Sequence, residues 1–169
     1  MTDMEKSNIT PHLGLDSDAM EKTVDAFVGF LADEHVLYMK LRNYHWNVTG
    51  PYFKMLHELF EEQYTTLANT IDEIAERVRT YGIFTPGTMQ EMINTARLQE
   101  ASPGEFPSAR AMVNNLVNDH EMIIRNLREA IDLMDDIDND GAEDYFIGLL
   151  QTHQEMAWML RAHLQDWSD

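Results

Sequence analysis

Apolar side chains recur at three- and four-residue steps through four long stretches of this chain, and nowhere do apolar and polar residues alternate over a strand's length. That period is helical and excludes a sheet-based fold. In the first stretch Val24, Phe27, Val28, Leu31, Tyr38 and Leu41 mark an inward stripe running from Asp16 or Ser17 to near Asn47. Gly50–Pro51 breaks it and opens a second helix, whose stripe of Leu56, Phe60, Tyr64, Leu67, Ile71, Ile74 and Val78 ends near Tyr81, where Gly82 supplies the stop. A third helix is expected from Ser108 to about Met134, carrying Met112, Leu116, Ile123, Leu127 and Ile131. A fourth is expected from about Ala142 to Trp167, carrying Phe146, Leu149, Leu150, Met156, Met159 and Leu164. Between Gly82 and Pro107 the chain is rich in Gly, Pro, Ser and Thr, with one short helical segment at Thr88 to Ala96. So long a connection suits two helices that are not hairpin neighbours. The expected architecture is all-α: a four-helix bundle whose second connection is a crossover carrying a short extra helix. Residues 1–16 read as a flexible tail and 17–169 as one domain.

Charge and composition narrow the chemistry. With 169 residues, a net charge of −18 and 44% hydrophobic residues, the chain has enough apolar material for one core and repels nucleic acid at long range while attracting cations. There are no cysteines, so disulfides, thiolate nucleophiles, zinc ribbons and iron–sulfur ligation are excluded, and any metal must bind through His, Asp or Glu. No apolar run approaches the ~20 residues of a membrane span, and the opening MTDMEKSNIT lacks the features of a signal peptide. A cytoplasmic protein without a membrane partner is expected.

The second helix holds the informative pattern. Apart from its stripe it presents His57, Glu61, Asp72 and Glu76, at successive spacings of 4, 11 and 4 residues. At 100° per residue all four fall within an arc of roughly 100° on one flank, off the core stripe, where a purely solvated polar face is the bland alternative. His57 and Asp72 are about 22 Å apart along a helix at 1.5 Å per residue, so one ion cannot touch both. The four positions are, however, symmetric about a point between residues 66 and 67. A two-fold axis there would bring His57 and Glu61 of one chain against Glu76 and Asp72 of a second, giving two equivalent sites per dimer. His45, five residues before Gly50, returns to the height of His57 as the chain folds back. Such a mixed nitrogen and oxygen set suits Fe(II), with zinc and manganese as alternative occupants. No histidine has a Glu three residues before it, which disfavours a di-iron site built from Glu-x-x-His motifs inside one bundle.

YHWNVTG at Tyr44 to Gly50, LHELFEEQY at Leu56 to Tyr64 and IDEIAER at Ile71 to Arg77 together resemble the Dps family of mini-ferritins, over essentially the whole chain after the tail. The resemblance implies a ferritin-like four-helix bundle assembled as a hollow dodecamer. It also implies a ferroxidase that oxidises Fe(II), preferably with hydrogen peroxide although oxygen is the other oxidant, and stores Fe(III) mineral. On this resemblance the iron ligands are His45, His57 and Glu61 of one subunit with Asp72 and Glu76 of its two-fold partner, two irons per site. Many members have Asp at the position of Glu61, and the longer arm bears on the second, weaker iron position. Trp46, beside His45, matches a tryptophan kept near the site, which either packs at the interface or donates electrons that intercept radicals.

Seven acidic residues fall between Asp132 and Asp144 without a basic one. In Dps-like shells this region lines a three-fold pore, and Asp140 and Asp144 best match its positions; three copies of each would focus a negative potential that concentrates Fe²⁺. His35 reads as packed, His120, His153 and His163 as hydrogen-bonded or surface groups, and His12 as a tail residue without fixed geometry. The twelve methionines read as core packing. DNA binding in the family often depends on a basic terminal extension, because phosphate contacts dominate non-specific affinity. Here Lys6 is outweighed by Asp3 and Glu5, and the end carries Asp166 and Asp169, so little direct DNA binding is expected. The alternative function, a DNA-binding protein that condenses the nucleoid, is correspondingly disfavoured.

Overall fold

The computed structural model describes residues 5, 7, 8, 11–165 and 167; Asp3, Lys6, Asp166 and Asp169, on which the terminal-charge argument draws, lie outside them. Asp16 opens α1 (Ser17–Asn47) by accepting from the Ala19 N–H at 2.8 Å, which satisfies one of the free donors of a helix start. Gly50, at φ 102°, adopts the left-handed conformation that lets the chain reverse into α2 (Phe53–Thr80). Gly82, at φ 78°, does the same after α2. The short α3 (Met89–Thr95) is set by a capping box in which the Thr88 hydroxyl and the Glu91 carboxylate each accept from the other's backbone N–H. Ser108 caps α4 (Ala109–Asp136), and Asn139 caps α5 (Asp140–Leu164) after Asp138 turns the chain at φ 54°.

The four long helices pack as a bundle, α1 mainly against α2 and α4 mainly against α5, with α3 lying on α1. The core is aromatic at its centre: Phe27, Phe30, Phe60 and Phe146 are completely buried, and the Phe146 ring stands 4.7 Å from Phe27 and 5.2 Å from Phe30. Burying each such ring contributes roughly 1.5–3 kcal/mol. No helix among the described residues is long and apolar enough to cross a membrane.

Two polar contacts tie α1 to the crossover and to α4. The Asp33 carboxylate, fully buried on α1, accepts from the Arg97 backbone N–H at 2.6 Å, from its guanidinium at 2.7 and 2.8 Å and from the Leu98 N–H at 3.2 Å. Lys40 on α1 pairs with Asp119 on α4 at 2.6 Å, both largely buried. At the amino end, Ser7 donates its N–H to the Gly82 carbonyl and Phe84 donates to that of Glu5, so the lead-in touches the connection after α2.

The expected periods correspond to helices with shifted ends. α2 starts at Phe53 rather than Pro51, α4 runs to Asp136 rather than Met134, and α5 spans Asp140 to Leu164 rather than Ala142 to Trp167. Asn139 moves the start of α5 forward, and Trp167 lies beyond its end with its ring against Tyr52 at 4.8 Å. The methionines are not uniformly core: Met92, Met112, Met134 and Met156 are buried, whereas Met39, Met55, Met89 and Met159 are exposed. Met159 follows the exposed Trp158 on the solvent side of α5, because an apolar residue one step off the stripe turns 100° away from it.

Candidate metal centre

The last turn of α1 leaves carbonyls without helical partners. Val48 N–H takes up that of Tyr44 at 2.8 Å, and the next one, His45, accepts a hydrogen bond from Nδ1 of His57 at 2.8 Å. In return His45 Nδ1 donates to the His57 carbonyl, also at 2.8 Å. A carbonyl can only accept, so the hydrogen on each ring is assigned to Nδ1. When the rings are neutral, both Nε2 lone pairs are therefore free for a ligand. The two imidazoles stack with centroids 3.7 Å apart and planes at 20°.

Glu61, one turn after His57 on α2, completes a cluster. One ligand atom from each of His45, His57 and Glu61 lies within 4.8 Å of the others, the only such group of three or more His, Asp or Glu side chains among the described residues. His45 is buried, His57 half-buried and Glu61 exposed, so the cluster opens outward from the α1–α2 seam. Two nitrogens and a carboxylate at this spacing match the donor set of a borderline divalent metal.

Tyr64 frames the cluster from the next turn, with its ring edge-on to His45 at 5.3 Å and its hydroxyl donating to Glu61 Oε1 at 3.3 Å. Removal from water, and after it the charge of Glu61, raise the Tyr64 pKa above its ordinary value. Arg42 lies 5.0 Å over Tyr64, 5.6 Å over Tyr38 and 5.1 Å over Trp46, and donates to the Tyr38 hydroxyl at 2.7 Å. Trp46 itself is 55% exposed beside the cluster. Sequence reasoning passed over this cation–aromatic group; its signal was the four-residue step Tyr38, Arg42, Trp46 on one helix face.

Asp72 and Glu76 are exposed farther along α2 and do not join the three-residue cluster within the chain. Asp140 and Asp144 are exposed in the first turns of α5, where Asp144 lines a groove with Thr70, Glu73 and Arg77. His35 is half-buried and hydrogen-bonds back to the Leu31 carbonyl at 2.8 Å. His120 and His153 are wholly buried and hydrogen-bonded to each other at 2.9 Å. The Glu34 carboxylate that meets His153 at 2.8 Å was not foreseen, since it sits at an ordinary helical position in the sequence.

A family model described as a ferritin-like domain matches residues 26–169. The DNA protection during starvation protein 2 of Bacillus anthracis is 41% identical over 134 residues, covering 79% of this chain and 90% of that one. The crystal structure of a Dps protein from Bacillus brevis superposes with a TM-score of 0.83 at 35% identity, covering 89% of this chain and all of that one. That of a Vibrio cholerae Dps protein, described as a member of a broad superfamily of ferritin-like diiron-carboxylate proteins, superposes with a TM-score of 0.86 at 28% identity, covering 95% and 100%. The ferritin-like model spans most of the chain, and the helical bundle with its crossover helix superposes on Dps structures, so the chain belongs to the Dps family of ferritin-like proteins.

Proposed function

We propose that this protein is a ferroxidase and iron-storage mini-ferritin acting in the cytoplasm, with Fe(II) as its substrate. The reciprocal His45–His57 bonding carries the reading, because it engages both Nδ1 atoms and leaves the two Nε2 free in a pair of rings clustered with Glu61. Three ligands on an open surface are an incomplete set. Asp72 and Glu76 of the partner subunit complete it across a two-fold axis, so each dimer holds two sites of two irons and twelve chains close into a hollow shell. Asp140 and Asp144 line its entry pores.

In this site the chain's own groups bind and orient. His45 and His57 supply imidazole nitrogens of fixed orientation, Glu61 supplies a carboxylate, and Tyr64 steadies it. Holding two Fe(II) together lets peroxide take two electrons at once: 2 Fe²⁺ + H₂O₂ + 2 H₂O → 2 FeO(OH) + 4 H⁺. One-electron release of hydroxyl radical is thereby avoided, and the exposed Trp46, next to His45 in the chain, is the residue that would donate an electron if it occurs. The DNA protection named for the Bacillus anthracis relative is then exerted here by removing iron and peroxide, since a chain of charge −18 has little attraction for phosphate.

The test is anaerobic Fe(II) loading of the purified protein followed by peroxide, with ferric absorbance and particle mass recorded together. Rapid oxidation by a twelve-subunit particle is expected, and a His45→Ala, His57→Ala variant should oxidise no faster than free iron. Equal rates for the two proteins, or a monomeric particle, would overturn the reading.

A further inference from the structure

The middle of the bundle contains a second polar constellation that the metal centre does not use. Glu34 on α1, His120 on α4 and His153 on α5 are each 0% exposed. His153 Nε2 lies 2.8 Å from Glu34 Oε1, and His153 Nδ1 lies 2.9 Å from His120 Nδ1, so the three form a row of carboxylate, imidazole and imidazole across three helices. Both ends are bare, for Glu34 Oε2 and His120 Nε2 have no hydrogen-bond partner. The ligand atoms of the row do not converge as those of His45, His57 and Glu61 do, so it is a chain of hydrogen bonds and not a metal cradle.

Such a row is defined by its protons. Each of the two bonds needs one. With those two alone the row has a charge of −1, a third makes it neutral, and a fourth makes it +1. A net charge in a fully enclosed position is strongly disfavoured, so the fold resists the fourth proton. Burial, and after it the neighbouring His153, hold the His120 pKa well below its ordinary value of 6.5.

The charged groups around the row are already engaged. Asp33, next to Glu34, is taken up by Arg97, and Lys40 on α1 by Asp119 on α4. On α5 the Tyr145 ring lies under Arg77 of α2 at 4.0 Å, and its hydroxyl senses Glu73 and Glu34. Gln63 of α2 spends its amide N–H on the Met156 carbonyl. None of these hydrogen-bonds either bare end.

The geometry points to an acid-sensitive latch: the Glu34–His153–His120 row ties α1, α5 and α4 together while His120 keeps a single proton, and gives way when a second is forced onto it. The sign follows from linkage. An unfolded histidine takes up its proton near pH 6.5 and folded His120 refuses it, so below that pH the unfolded state binds more protons and stability falls with pH. The loss starts well above the range near pH 4 in which ordinary carboxylates are protonated. This latch is independent of iron chemistry.

Urea unfolding of the full chain between pH 7 and pH 5, at fixed protein concentration, tests it against a Glu34→Leu, His120→Leu, His153→Leu variant that retains every residue of the metal centre. From pH 6.5 to 5.5 the unfolding constant of the wild type should rise about fivefold more than that of the variant, the response of one group that takes up its proton near pH 6.5 only when unfolded. An equal rise in both would overturn the latch. Should the triple variant fail to fold, His120→Gln is measured in the same way, together with ¹⁵N spectra of histidine-labelled wild type at pH 5.5. Neutral ring nitrogens for His120 in the folded protein support the latch, and an imidazolium signal there refutes it.

Discussion

His45 and His57 hold each other through their main chains: each Nδ1 donates to the other residue's carbonyl at 2.8 Å, while the rings themselves only stack. The acceptor that orients one ring therefore survives when the other ring is removed. In His57→Ala, His45 should keep its Nδ1 bond and a residual metal site. Anaerobic calorimetry with Fe(II) should show each single variant weakened roughly 100-fold, the scale of lost ligand support at metal sites, with no measurable binding in the double variant. Complete loss in either single variant would show that stacking, and not the backbone bond, organises the pair.

The proposed division of the site between subunits predicts complementation. A His45→Ala, His57→Ala chain and an Asp72→Ala, Glu76→Ala chain should each be inactive as homo-oligomers. Co-assembled at random, half the two-fold pairs are mixed and each mixed pair has one intact site, so about a quarter of wild-type peroxide-driven oxidation should return. If nothing returns from mixed particles verified by mass, the two halves of the site do not meet across the two-fold axis.

Asp140 and Asp144 are exposed in the first turns of α5, where Asp140 also complements the helix dipole. If they steer iron, Asp140→Asn with Asp144→Asn should slow iron uptake several-fold at low salt and erase most of its salt dependence, because screening acts over about 10 Å at 0.1 M. A role in helix capping alone would lower the melting temperature and leave the salt dependence of uptake intact. Stopped-flow uptake at two ionic strengths and a thermal melt distinguish these.

Lys40 and Asp119 bridge α1 and α4 with side chains 7% and 13% exposed. Burial raises the Asp119 pKa above its ordinary value even though Lys40 pulls it down, so desolvation outweighs the attraction. Removing one partner should then be far worse than replacing both. Asp119→Ala, which strands a buried ammonium, should cost about 3–5 kcal/mol, whereas Lys40→Met with Asp119→Leu should be near neutral. Urea denaturation of the three proteins checks the order.

Much of this molecule was legible in its residues. The period of Leu56, Phe60, Leu67, Ile74 and Val78 marks α2 as a helix because a side chain's direction around a helix depends only on its position in the chain. The cap at Asp16, the glycines at 50 and 82 and the Thr88–Glu91 box act within a few residues, so they too can be read locally, to within the two or three residues by which α2, α4 and α5 differ from expectation. The spacing of His57, Glu61, Asp72 and Glu76 suggested a shared site; the structure brings His57 and Glu61 together with His45 of α1 and leaves Asp72 and Glu76 apart from them along α2.

What the residues alone determined was thus the helical order and the candidate ligand set, both consequences of spacing along one chain. Only the tertiary structure decided which nitrogen each ring of the His45–His57 pair leaves free, that Met159 faces solvent and Met156 does not, and that Glu34, His120 and His153 share the core. Those outcomes depend on which helix lies against which and at what height. Glu34 and His153, 119 positions apart, and His153 and His120, 33 positions apart, meet only because three helices pack together, and no local period carries that information.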